Sequence, residues 1–381
     1  MVDDDFDAVV IGGGLAGACV AYHLVTAGAR TALVDRRDAG RATDAGAGIL
    51  SPETTRVAGR AWSRLALDCG QYYPRLAAAL AGGGAGDAPA DGDVGFGPCG
   101  LLAVALADWD IDAYEQLVVV AQARDADGGI VEIGPDEARG RFPALGPLTR
   151  ALWNPGAARV DGRRFCTAVL RAARRHGLEC VDASVDRLVA GAGGGTVEAG
   201  GRRLRCTTVV VAGGAWSPPL AAQLGVDIPV RPERGQIAHL SVAGADTGAW
   251  PIVSPVLGHY LVPFPGGRVA TGATREPDAG WAVAPTVAGV RQVMNEVARI
   301  APGLLEAELL EVRVGLRPAS GDGLPVLGQL PGVGNAFVAT GYGADGLLLS
   351  PWCGRLVASW VLGAAPDPAL APFMAARFAA G

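Results

Sequence analysis

Two kinds of apolar pattern alternate along the chain. Ala8-Val-Val-Ile11 is a continuous apolar run that enters three glycines, and helical periodicity follows over Ala18 to Ala27. Thr31–Val34, Thr208–Ala212 and Ala336–Thr340 are further apolar runs, the last two followed by glycine-rich turns at Gly213-Gly214 and Gly341-Tyr-Gly343. Runs of this length fit strands buried on both faces of a parallel sheet. Residues 226–314 have a different texture. Gly235–Val242, His259–Val262 and Arg268–Gly272 alternate apolar and polar residues between turn formers, which predicts an antiparallel sheet. Helices are expected over 56–80, Ile111–Ala126, Asp161–His176, Val287–Ile300 and from about Gly346. A strand is expected near Gly100–Leu106, and a hairpin over Thr196–Ala199 and Arg203–Cys206. Residues 81–97, rich in Gly, Ala, Pro and Asp, read as a surface excursion. The expected fold class is α/β: a Rossmann-type domain made of 1–80, 155–225 and 315–381, with an inserted, mostly antiparallel α+β domain made of 81–154 and 226–314.

The first of these turns holds Gly12-x-Gly14-x-x-Gly17, with Leu15 and Ala16 between the last two glycines, and Asp35 ends the second strand. Gly12 permits the tight turn, Gly14 lets a pyrophosphate approach the backbone, and Gly17 lets helix and strand pack closely. The helix N-terminus offers free N–H groups to phosphate. An acid at Asp35 can accept hydrogen bonds from ribose hydroxyls. Glycines alone would equally serve ordinary turns. The strand before them, the helix after them and the acid about 20 residues on point to a dinucleotide.

Composition narrows the chemistry. The net charge is −6 and half the residues are hydrophobic, which argues against nucleic acid as a partner. Arg163, Arg164, Arg171, Arg174 and Arg175 are spaced as the wet face of one helix. The chain contains no lysine, which excludes Schiff-base catalysis. Its seven cysteines include no C-x-x-C and its four histidines show no ligand spacing, so reduced thiols and no metal site are expected. Asp3, Asp4, Asp5 and Asp7 are unlike a basic signal region, and Leu347–Leu362, broken by Pro351 and Arg355, reads as a buried helix rather than an integral membrane segment. A cytoplasmic location follows as the expectation.

Asp7–Pro52 resembles the start of the D-amino-acid-oxidase-like family of FAD enzymes, which includes glycine oxidases, sarcosine oxidases and amino-acid dehydrogenases. The resemblance continues through Thr208–Trp216, Val230-Arg-Pro-Glu-Arg-Gly-Gln-Ile237, Tyr260-Leu-Val-Pro263 and Gly272-Ala-Thr-Arg-Glu276. It closes with Gly315-Leu-Arg-Pro318, Asp322–Gly328 and Ala339-Thr-Gly-Tyr-Gly343 with Gly346. It implies FAD, held non-covalently, since Glu311–Pro318 lacks the cysteine by which sarcosine-oxidase relatives attach flavin. It places Gly12, Gly14, Leu15, Ala16, Gly17 and Asp35 at the ADP half, with Arg36 beside adenine or phosphate and Thr43 at the pyrophosphate. Ala47, Gly48 and Ile49 would run against the flavin ring, Val185 would meet adenine, and Gly213, Gly343, Gly346 and Arg317 would approach the ring system.

The resemblance also places Arg317 on the substrate carboxylate, where a planar fork can make two parallel hydrogen bonds. The alternative for Arg317 is a salt bridge to Glu311 or Asp322. Tyr260 would meet the same carboxylate, or simply pack as an aromatic strand residue. His259, its neighbour, points the other way along the strand and reads as a core or solvent histidine. Two positions beyond Tyr342, where glycine oxidases carry an arginine, this chain has Ala344.

The implied reaction is hydride transfer from an amino-acid Cα to flavin N5, giving an imino acid that hydrolyses to keto acid and ammonia. The substrate would be a small molecule bearing a carboxylate, and the electron acceptor oxygen, a quinone or another carrier. The same architecture suits a 2-hydroxy acid or an N-alkyl or cyclic amine. An NAD-dependent dehydrogenase and a flavin-binding module without turnover are the readings from other classes.

Overall fold

The computed structural model describes residues 3–55, 59–82, 93–125 and 128–379. Its first sheet is built around five parallel strands in the spatial order Ala336–Thr340, Arg202–Val211, Asp3–Ile11, Thr31–Val34 and Glu179–Val181. Helices Leu15–Thr26, Arg60–Ala81, Gly162–Arg175 and Gly346–Val361 contribute buried residues to the core that also takes Ala8, Val10, Leu33 and Val210 from these strands. Val9, Ile11, Val34, Val209 and Val211 enter a second apolar cluster. Burial on both faces explains why these strands read as unbroken apolar runs.

The second sheet has eight strands and is antiparallel except where Ile252–Pro255 runs parallel to Leu101–Ala105. One edge is the thirteen-residue strand Glu308–Ser320, paired along its length with Val230–Ser241, from Val230 opposite Ser320 to Ser241 opposite Glu308. A small three-stranded sheet (Ile49–Leu50, Ala158–Val160, Phe96–Pro98) bridges the two. Arg159 ties it to the second sheet. Its buried guanidinium donates to the carbonyls of Pro263 at 2.9 Å, Gly248 at 2.6 Å and Trp250 at 3.3 Å.

Several elements differ from the sequence reading. Arg203–Cys206 and Thr208–Ala212 are parts of one strand, Arg202–Val211. Its first half forms a hairpin with Gly194–Ala199 and alternates in burial, whereas its second half lies between parallel strands and is wholly buried. A change of neighbours therefore looked like two strands. Glu308–Ser320 was unread as a strand because its first half is exposed at the sheet edge, and the boundary expected at 315 falls inside it. The helix expected over 56–80 is Arg60–Ala81, with 56–58 outside the described residues. Of the excursion over 81–97, residues 83–92 lie outside the described residues, and Phe96 begins a strand.

Asp161 caps its helix, accepting hydrogen bonds from the N–H groups of Arg163 and Arg164 at 3.1 Å. Among the described residues all seven cysteines are free thiols, and no helix is long and apolar enough to cross a membrane.

Candidate active site

A cavity of about 650 Å³ lies where the carboxyl ends of the parallel strands meet the second sheet. Ligands in open α/β sheets bind at such a crevice.

The first wall is built from the glycine turn. Gly12 has φ +113°, and a Cβ there would collide with the Ala212 carbonyl of the neighbouring strand. Gly14 stands at the N-cap of helix Leu15–Thr26 and contributes no side chain. Thr43 Oγ1 accepts the Leu15 N–H at 3.0 Å, which leaves the threonine proton free for a phosphate oxygen. Asp35 lies at the end of the second strand, its carboxylate accepting the N–H groups of Gly13 and Arg37. Gly13 and Asp35 are packed so closely that a Cβ at Gly13 would strike the carboxylate. Arg41, unmarked in the sequence, holds Asp44 at 3.0 Å and approaches Asp35 at 3.6 Å. Arg36 is half exposed and paired with Asp38 at 2.6 Å. Gly12, Gly14, Leu15, Ala16, Asp35, Arg36, Thr43 and Val185 all line the cavity. Gly17 does not; a Cβ there would strike the Gly12 carbonyl, so this glycine sets the helix–strand approach behind the wall.

Ala47, Gly48, Ile49, Gly213, Gly343 and Gly346 also line the cavity. Gly48 has φ +84°, and its carbonyl accepts the Val160 N–H at 2.8 Å. The small residues and bare backbone N–H groups leave an open, dinucleotide-sized trough beside a helix N-terminus, which fits a pyrophosphate and a flat ring system.

The second sheet contributes Arg317 and Tyr260 to the cavity. Arg317 is mostly buried, and its Nη1 donates to Glu233 Oε1 at 3.0 Å and to the Thr274 carbonyl at 3.1 Å. Among the described residues its Nη2 has no hydrogen bond. The guanidinium lies against Gly235, where a Cβ would strike it. The acids expected as alternative partners are engaged elsewhere. Glu311 pairs with Arg313 at 2.5 Å and Asp322 with Arg377 at 2.7 Å. Arg275 reaches the same Glu233 oxygen at 3.3 Å and also lines the cavity. Burial pushes the Tyr260 phenol up, against the pull of Arg317 and Arg275. His259 is buried off the wall, with Nε2 at 3.3 Å from Gln292 Nε2.

Tyr342 is buried and lines the cavity, and its hydroxyl has no partner among the described residues. Beside Ala344 the wall carries Asp345, whose carboxyl burial pushes up to about 6, against the pull of Arg275. Gly235, Arg275 and Asp345 were not marked from the sequence as site residues. The first two lay inside quoted motifs; Asp345 carried no signal beyond standing before a helix.

Comparison with known proteins agrees with this architecture. The chain is 33% identical over 368 residues to an oxidoreductase of Bacillus subtilis strain 168, YurR, covering 96% of this chain and 97% of that one. It is 31% identical over 375 residues to the glycine oxidase of Pseudomonas aeruginosa PAO1, covering 95% and 96%. The structure of iminodiacetate oxidase (IdaA) from Chelativorans sp. BNC1 superposes with a TM-score of 0.89 at 33% identity, covering 96% of this chain and 98% of that one. The family model described as FAD dependent oxidoreductase (DAO) matches residues 7–360, and the chain belongs to that family.

Proposed function

We propose that this enzyme oxidises the Cα–N bond of a small amino acid or related amine that bears a carboxylate. The observation behind this reading is the posture of Arg317. Its Nη1 is tied to Glu233 and Thr274, while Nη2 and the open hydroxyl of Tyr260 belong to the same cavity wall. A guanidinium anchored at one corner is pre-organised to take a carboxylate with the other. The relatives support the choice of substrate class, since glycine and iminodiacetate both place a carboxylate one carbon from a nitrogen.

Gly12, Gly14, Leu15, Ala16, Asp35 and Thr43 would hold the ADP portion of FAD, and Ala47, Gly48, Ile49, Gly213, Gly343 and Gly346 would frame its ring. Arg36 and Val185, which line the same cavity, would stand at the adenine end. FAD supplies the hydride acceptor, so the substrate nitrogen's lone pair forms C=N as the Cα–H bond breaks. Arg317 and Tyr260 orient the Cα. Water then hydrolyses the imine to a keto acid and ammonia, or to an amine if the nitrogen was substituted. The free thiols suit a reducing, cytoplasmic setting.

The test is the visible spectrum of the purified protein, followed by anaerobic titration with D- and L-amino acids, glycine, iminodiacetate and 2-hydroxy acids. The protein is expected to be yellow and to bleach with at least one amine. A colourless preparation that takes up no FAD would overturn the reading. Peroxide formation on readmitting air distinguishes oxygen from a quinone or carrier as the electron acceptor.

A further inference from the structure

Resting on that reading, we infer that Asp345 binds the cationic nitrogen of the substrate and so makes the site selective for amino acids over 2-hydroxy acids. Asp345 lines the same cavity as Arg317 and Tyr260. Among the described residues no hydrogen bond or ion pair reaches its carboxylate, although every other acid named on the walls has a partner. It occupies the N-cap of helix Gly346–Val361, a position where aspartate normally accepts a backbone N–H, yet its side chain makes no cap. Its own N–H donates to the Tyr342 carbonyl at 3.0 Å, so the backbone is fixed while the carboxylate is left to the cavity.

A partly buried carboxylate on a cavity wall without a partner is costly, and a bound cation removes that cost. Desolvation on the cavity wall raises the Asp345 carboxyl, against the pull of Arg275. The charges around the cavity have the pattern of the ligand. On the sheet wall Arg317 and Arg275 share one acid, Glu233, which leaves a surplus positive charge for a carboxylate. Asp345 enters the same cavity from the start of helix Gly346–Val361 and leaves a negative charge for a nitrogen. A zwitterionic primary or secondary amino acid satisfies both, and its ammonium gives up one proton to the Asp345 carboxylate, which frees the nitrogen lone pair that forms C=N. A 2-hydroxy acid satisfies the arginines and leaves Asp345 unpaired on the cavity wall. Selectivity by an unpaired polar group is stronger than selectivity by shape.

The experiment compares flavin-loaded wild type and Asp345→Asn with two ligands of similar size, glycine and glycolate, and with the best amine substrate found by titration. Binding is read from perturbation of the flavin spectrum under anaerobic conditions, and KM and kcat from steady-state oxidation. The substitution is expected to raise KM for the amine by roughly 10- to 100-fold, the scale of one hydrogen bond to a charged group. Glycolate affinity should be unchanged or tighter, and flavin content unchanged. Equal KM in both proteins overturns the inference. So does an equal loss of affinity for both ligands with an altered flavin spectrum, which would assign Asp345 to the cofactor. A wild-type enzyme bleached by 2-hydroxy acids and by no amine overturns the functional reading itself, and this inference with it.

Discussion

At Arg317 one nitrogen does the anchoring and another is left over. That division predicts a difference between removing the side chain and shortening its chemistry. Arg317→Ala should raise KM for a carboxylate-bearing substrate by roughly 100-fold, about 3 kcal/mol, the scale of losing hydrogen bonds to a charged group. Arg317→Lys keeps the charge but loses the fork, and should fall between alanine and wild type. Tyr260→Phe removes one hydroxyl and should cost less than either, with flavin content intact. Steady-state kinetics decides among these, and unchanged KM in Arg317→Ala would end the assignment. The sequence motif around Arg317 was legible, but its partner was not. Glu233 lies 84 positions away. It meets the arginine because Glu233 and Arg317 are opposite each other in the register of two paired strands. Neither Glu311 nor Asp322, nearer in the chain, can compete with that register.

Among the elements, the glycine turn and the backbone around Gly48 were readable because glycine reports close approach locally. Gly12 and Gly48 both have left-handed φ and both abut a backbone carbonyl. Gly48→Ala therefore adds a methyl group where the Val160 carbonyl already sits. We expect it to destabilise the protein by about 3 kcal/mol, combining overpacking with the left-handed backbone penalty. We also expect it to lower the flavin-to-protein absorbance ratio of the purified enzyme. Urea denaturation and that ratio check the two effects, and a wild-type ratio would remove Ala47–Ile49 from the cofactor wall. The long strand Glu308–Ser320 was not readable, since exposure at a sheet edge erases the hydrophobic pattern on which strand recognition depends.

Across the whole molecule, three histidines couple stability to pH, and burial also holds His259 below the usual imidazole value. Burial, helped by nearby arginines, lowers His23 to about 4 and His239 to about 3. His23 Nε2 lies 3.1 Å from the Tyr72 hydroxyl, and His239 Nδ1 lies 3.2 Å from Arg268 Nη1. The folded protein refuses protons that the unfolded chain accepts below about pH 6.5, so stability falls as pH drops through that value. Asp345 acts in the opposite sense, because its raised carboxyl takes up a proton in the folded state near pH 6. Three histidines outweigh one acid, so the protein should be less stable at pH 5 than at pH 7.5. Urea titrations at the two pH values measure it, and His239→Gln should flatten the dependence.

The chain's own order of residues determined the nucleotide-binding half of this enzyme: apolar runs, glycine spacing and a terminal acid are short-range signals, and each acts through neighbours in sequence. Only the tertiary structure decided which charges share the cavity. Arg317 meets Glu233 through cross-strand pairing, and Arg275 reaches the same acid from the segment after strand Arg268–Gly272. Asp345 joins them from a helix start on the other sheet's side. Those meetings depend on strand register and on how two sheets close over one cleft, and no local pattern encodes either.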